Sequence, residues 1–269
     1  MIDRIASADD PRLDPYRHVA DPQWVREQGL FVAEGRLVVE RLLAMDRFRV
    51  HSILVNRAAE DAMRPLLAAA QATVLACDDS TLESITGYNF HRGCLALVHR
   101  PPDLAPTALH GARRLLGIEN IANPDNIGGL FRTAAAFAVD GVVLNTASGD
   151  PLYRKAVRTS MGASLRVPYA CADAWLPALA ELRERGFRIV AMTPAAGAHQ
   201  LSDFAATVTR EERLVVLVGA EGAGLGDDTL AIADVAVRIP IDAAVDSLNV
   251  VVAAGIALHG LGLVRSAPL

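Results

Sequence analysis

Lysine is almost missing from this chain: Lys155 is the only one in 269 residues. No Gly-Lys-Ser/Thr occurs, so a phosphate-binding P-loop is excluded. Cysteine is scarce as well. Cys77, Cys94 and Cys171 are odd in number and scattered, a pattern that fits reduced cytosolic thiols and not a disulfide framework or a metal site. No run of membrane length is present. The longest uncharged apolar stretch, VVVAAGIALHGLGLV at residues 250–264, carries His259 and many small residues, which predicts a buried or interface helix. The opening residues, MIDRIASADDPRLD, are polar and acidic, unlike a signal or transit peptide. Internal repeats and low-complexity segments are lacking too. These absences predict a soluble cytoplasmic protein with no metal and no membrane partner.

What is present is a globular composition, 52% apolar and 21% charged. A proline-rich stretch of low periodicity, HRPPDLAPTALHGARR at 99–114, reads as a linker. It predicts a small α/β domain over residues 1–100, a linker over 101–113 and a larger domain over 114–269. In the first part, helical periodicity marks EGRLVVERLLA and AAEDAMRPLLAAA, and VHSILVN, TVLAC and GCLALVHR read as strands. In the second, RLLGIE, GVVLN, FRIVAMT, LVVLVG and VAVRIPI read as strands, with helices after Asn126, Pro151, Asp173, Asp227 and Ser247. Such alternation predicts a mostly parallel sheet with helices on both faces. Ligands then sit at the carboxyl ends of strands, here the loops after Glu119, Thr193, Gly219 and Ile241.

The run LVVLVGAEGAGLG, 214–226, drives an apolar strand into a glycine-rich turn. The dinucleotide fingerprint needs glycines at relative positions one, three and six. From Gly219 the third position is Glu221, and from Gly222 the sixth is Asp227, so both registers fail. Glu221 would also repel a phosphate. A cofactor with an adenosine and a cationic end suits the turn better than a pyrophosphate.

Two further stretches lie at strand–helix junctions. IENIANPDNIGGLFRTAAAF, 118–137, predicts a helix from about Asn126, capped by Asp125 or Asn126. Arg132 stands alone in the uncharged run FRTAAAFAV, where a buried guanidinium needs an anion or a hydrogen-bond partner. VRIPIDAAVDSLNVVVAAGIAL, 237–258, predicts a helix capped by Asp246 or Ser247, with Ser247 and Asn249 also available to a polar substrate. Net charge is −5, yet Arg154, Lys155, Arg158 and Arg166 lie in a segment without acids. Arg154 and Arg158, four apart, suit a solvated helix face and a phosphate-facing stripe equally.

Taken together, N-I-G-G-L-F-R (Asn126 to Arg132), L-V-G-A-E-G-A-G-L (Leu217 to Leu225) and I-P…S-L-N-V (Ile239, Pro240, Ser247 to Val250) closely resemble the SpoU (TrmH-like) RNA ribose methyltransferases of the SPOUT superfamily. LFVAEGRLVVERLL and NFHRGCLALV are similar, more loosely, to the ribosomal-protein-like substrate-binding domain of many members. The resemblance implies an α/β fold whose parallel-sheet C-terminal domain holds a trefoil knot, an exception to the rule of unknotted chains. It further implies a homodimer through that domain, S-adenosylmethionine as cofactor, and methyl transfer to a ribose 2′-hydroxyl of RNA. Ribosomal RNA is favoured over transfer RNA because of the added N-terminal domain.

On this resemblance, Asn126, Arg132, Glu221, Ser247 and Asn249 are the polar reaction-site residues. Gly219, Ile239 and Leu248 hold the cofactor, with Thr193, Leu217 and Gly222 on the same wall. RNA would meet the N-terminal domain and the segment with Arg154, Lys155, Arg158 and Arg166. His91 and Arg92, beside Tyr88 and Phe90, suit a loop base, and equally a hairpin packed by its own aromatics. The chain departs from the family pattern at Ile241 and Ala243, where Met and Gly are common, and at Val251, where a small polar residue is common; these departures are expected at the pocket wall. Two rivals remain: an RNA-binding or ribosome-assembly factor that has lost the chemistry, and a nicotinamide-dependent dehydrogenase, which the failed glycine spacing disfavours.

Overall fold

The computed structural model describes residues 2–86 and 93–262. The chain divides into two compact units, one comprising Met1–Pro102 with Leu152–Leu165 and the other Asp103–Pro151 with Arg166–Leu269.

The first unit runs β1 (Ile2–Arg4), α1 (Asp14–Arg17), α2 (Pro22–Glu27), β2 (Leu30–Glu34), α3 (Arg36–Leu43), β3 (Val50–Val55), α4 (Arg57–Ala69), β4 (Thr73–Ala76), α5 (Asp79–Thr86) and β5 (Cys94–His99). Its sheet has the order β1-β4-β3-β5-β2. β1 and β3 pair parallel to β4, and β5 pairs antiparallel to β3 and β2. The predicted helices and strands of this part are present, and β1, β2, α1, α2 and α5 add to them. Leu13, Tyr16, Val32, Leu54, Leu75 and Leu95 belong to one buried cluster. The Tyr16 hydroxyl is satisfied inside it by Ser52, 2.8 Å away.

The second unit is built on β6 (Arg114–Glu119), α6 (Pro124–Ala136), β7 (Gly141–Asn145), β8 (Tyr169–Ala172), α8 (Trp175–Glu184), β9 (Phe187–Met192), β10 (His199–Gln200), α9 (Leu201–Ala205), β11 (Arg213–Gly219), α10 (Asp227–Ile232), β12 (Val235–Arg238) and α11 (Val250–Gly260). α7 (Arg154–Thr159) lies between β7 and β8 in sequence and is counted with the first unit. The seven strands are all parallel, in the order β10-β12-β9-β11-β6-β7-β8. Parallel strands are buried on both faces and so read as continuous apolar runs. LVVLV at 214–218 is such a run, and all five residues are buried. The expected parallel α/β sheet flanked by helices is therefore found, with β8 and the two-residue β10 as additions. Among the described residues no helix is long and apolar enough to cross a membrane. α11, the core of the longest apolar stretch, buries Ala254, Ala257 and Leu258 but exposes Val252 and Ile256.

Candidate active site

In the second unit, three segments far apart in sequence meet at the carboxyl ends of β6 and β11. The Nδ2 amides of Asn126 and Asn249 both donate to Glu221 Oε1, at 3.1 and 2.9 Å, and Asn249 Nδ2 also donates to Asn126 Oδ1 at 3.2 Å. Asn126 is buried, while Glu221 and Asn249 are exposed.

Local sequence explains how each residue arrives there. α6 starts two residues earlier than expected. Asn123 is its cap, accepting from Asp125 N–H at 2.9 Å, and Pro124 fills the first position, where a missing N–H costs nothing. The expected caps Asp125 and Asn126 are thus displaced, and Asn126 turns its amide into the cluster. α11 likewise starts later than expected: Asn249, not Asp246 or Ser247, caps it by accepting from Val251 N–H at 3.0 Å.

The glycine turn has two different reasons for its glycines. A Cβ on Gly219 would lie 2.2 Å from the Gly224 carbonyl carbon, so a side chain is excluded where the turn closes, with Gly224 N–H donating to Ala220 O at 2.8 Å. Gly222 has φ +86° with open space around it, so there the backbone angle alone requires glycine.

Beside this turn lies a cavity of about 250 Å³. Gly219, Glu221, Gly222, Thr193, Ile239, Ser247 and Leu248 all line it, and Met192, Pro194, Val218, Ile241, Asp246 and Ala253 complete much of the wall. Among the described residues the lining holds two carboxylates, Glu221 and Asp246, and no cationic side chain. Asn126 and Asn249 stand behind Glu221 rather than on the wall.

A model of the SpoU rRNA Methylase family matches residues 113–259. The chain belongs to the SpoU rRNA methylase family. A Mycobacterium bovis relative described as an uncharacterized tRNA/rRNA methyltransferase is 39% identical over 263 residues, spanning 96% of this chain and 91% of its own. The AdoMet-bound rRNA methyltransferase from Sinorhizobium meliloti has a TM-score of 0.80 at 23% identity, covering 97% of both chains. The SpoU methyltransferase AviRb from Streptomyces viridochromogenes, in complex with AdoMet, has a TM-score of 0.79 at 21% identity, covering 94% of this chain and 97% of its own. Both likenesses show a shared fold over both units.

Other residues singled out from the SpoU motifs fall elsewhere. Arg132 does not sit on a buried helix face: it is exposed and makes no hydrogen bond or ion pair among the described residues, so desolvation gives no argument for a partner. α6 and α11 pack together through Gly129 against Val251 and Thr133 against Gly255. Val251 is therefore not on the cavity wall. It occupies the space that a Gly129 side chain would need, a Cβ there coming 2.6 Å from Val251 Cγ2. Ile241 does line the cavity, and Ala243 does not. Leu217 is fully buried in the core, its Cδ2 over Gly117.

Of the basic segment, Arg154 and Arg158 both pair with the buried carboxylate of Glu34 within the first unit, at 2.7 and 3.5 Å. That ion pair sets them on one helix face, as their spacing requires, with much of their charge offset. Lys155 and Arg166 are exposed. His91, Arg92, Tyr88 and Phe90 lie outside the described residues. Among the described residues no group of His, Cys, Asp or Glu is arranged to hold a metal ion.

Proposed function

We propose that the chain transfers the methyl group of S-adenosylmethionine to a ribose 2′-hydroxyl of RNA, with ribosomal RNA as the favoured substrate. The observation that carries this reading is the cavity beside the glycine turn, joined through Glu221 to Asn126 and Asn249. Two carboxylates, with no cation among the described lining residues, suit a sulfonium and oppose a pyrophosphate. Main-chain groups near Gly219, Ile239 and Leu248 would hold the adenosine and methionine parts, against apolar Met192, Val218 and Ala253. When bound, S-adenosylmethionine supplies a methyl on positive sulfur, which needs no further activation.

The hydroxyl does need help, being a poor nucleophile while protonated. The chain must orient it and stabilise the negative charge that develops on its oxygen as the proton passes to water, the O–CH3 bond forming while the S–CH3 bond breaks and neutral S-adenosylhomocysteine leaves. We assign charge stabilisation and phosphate anchoring to Arg132, because a guanidinium stays protonated and forks onto anions. Among the described residues no internal partner takes up its donors. Asn126, Ser247 and Asn249 position the ribose and the surrounding loops.

The same reading includes a homodimer formed through the second unit. α11 leaves Val252 and Ile256 uncovered, an apolar patch that a second copy would cover. The return of α11 against β11 and α6 supports the knotted C-terminal fold. Lys155 and Arg166 are assigned to RNA phosphates, with Arg154 and Arg158 as a charge reserve held by Glu34.

The test is methylation in vitro of ribosomal and transfer RNA from a strain lacking this gene, with mapping of the product. A 2′-O-methyl ribose in ribosomal RNA is expected. Transfer confined to transfer RNA would move the substrate assignment, a methylated base would overturn the chemistry, and binding of RNA without transfer would favour an assembly factor.

A further inference from the structure

We propose that Glu119, an acid at the end of β6 with no part in the reaction, is a positioning residue for the glycine turn. The inference rests on the donor-cavity reading above. Glu119 is only 6% exposed, and no ion pair involves it among the described residues. Burying a carboxylate without a cation is costly unless hydrogen bonds replace water. Two do. Its Oε2 accepts from Gly226 N–H at 3.0 Å, and its Oε1 accepts from the Thr229 hydroxyl at 2.8 Å. Thr229 Oγ1 in turn accepts from the Trp175 indole N–H at 3.1 Å.

Gly226 is the cap residue of α10 and has no side chain to satisfy the first turn. Glu119 does part of that work from 107 positions away. The turn from Gly219 to Gly226 is thus fastened twice, by the Ala220–Gly224 bridge and by Glu119. Glu221 and Gly222, which face the cavity, lie inside the loop that the Ala220–Gly224 bridge closes, and Glu119 holds the chain two residues beyond that loop. A carboxylate is acceptor-only and so matches two donors at once. Glutamine keeps one acceptor oxygen for Gly226, and alanine keeps none.

The experiment compares wild type, Glu119→Gln, Glu119→Ala and Thr229→Val in the full chain. It measures amide exchange over residues 222–229, S-adenosylmethionine affinity by calorimetry, and melting temperature. Glu119→Ala should weaken binding about tenfold, equivalent to about 1.4 kcal/mol, and accelerate exchange across the turn. Glu119→Gln should restore affinity to within about threefold of wild type, since the Gly226 bond survives. Thr229→Val should fall between them.

A folded Glu119→Ala protein with wild-type affinity and exchange would overturn the assignment. So would equal losses in the Gln and Ala variants, because a purely structural carboxylate gains nothing from the amide. If Glu119→Ala fails to fold, Thr229→Val decides, and unchanged affinity and exchange there would sink the idea. Should wild type bind no S-adenosylmethionine, the donor reading fails, and turn exchange alone still judges Glu119.

Discussion

The side-chain amide of Asn249 donates to Glu221 at 2.9 Å while its carbonyl oxygen caps α11 through Val251 N–H at 3.0 Å. One side chain thereby ties a helix start to the glycine turn. Asn249→Ala should lose about 1 kcal/mol of stability from the cap alone and slow methyl transfer about 100-fold through loss of orientation. Asn249→Asp keeps the capping oxygen but sets a second carboxylate against Glu221. It should therefore melt closer to wild type than the Ala variant and yet transfer poorly. Melting curves and single-turnover rates check both, and a fully active Ala variant would remove Asn249 from the site.

Arg132 is exposed and makes no hydrogen bond or ion pair among the described residues, so its removal strands no buried partner among them. Arg132→Ala should abolish transfer, leave S-adenosylmethionine affinity within about twofold, and shift stability by no more than about 0.5 kcal/mol. Transfer near the wild-type rate would refute the charge-stabilising role.

Gly219 and Gly222 separate steric from conformational demand. Gly219→Ala drives a methyl into the Gly224 carbonyl, and the turn must shift; donor binding should fall below detection in calorimetry. Gly222→Ala meets open space and only the strain of φ +86°, about 1–2 kcal/mol, so binding should be weakened and still measurable. Equal behaviour of the two variants would contradict the geometry.

Ile256 is 40% exposed and Val252 50% exposed on α11. Ile256→Asp should convert the proposed homodimer into monomer in light scattering and depress transfer with it. A wild-type chain that is monomeric at micromolar concentration would refute the dimer.

Burial pushes the Cys77 and Cys94 thiols up to about 12, whereas Cys171 is exposed. The thiolate is the reactive form, and a raised value keeps both buried thiols protonated through neutral and mildly alkaline pH. Native protein at pH 8 should therefore label rapidly at Cys171 alone, and denatured protein at all three. Rapid native labelling of Cys94 would mean that β5 opens.

Much of the site was legible in sequence because it lies on short motifs at strand ends. Gly219, Glu221, Gly222, Ile239, Ser247 and Leu248 do share one cavity. The reading failed where an outcome depended on competition among neighbouring polar residues. Several Asn, Asp and Ser side chains stand near each helix start, and backbone geometry selected Asn123 and Asn249 as caps. In sequence Glu119 is only the last residue of an apolar strand; its partners 107 and 110 positions away give it a role.

The sequence by itself determined the alternation of apolar runs and helices, hence the parallel sheet, and the types of residue delivered to its carboxyl edge. Those follow from period and chemistry, which are local. Tertiary structure decided that Asn126, Glu221 and Asn249 form one hydrogen-bonded cluster, that Arg154 and Arg158 face Glu34, and that Arg132 is uncovered. Those are facts about which side chains meet after the chain has crossed over. Hydrogen bonds between groups 95 or 123 positions apart leave no periodic trace in the sequence.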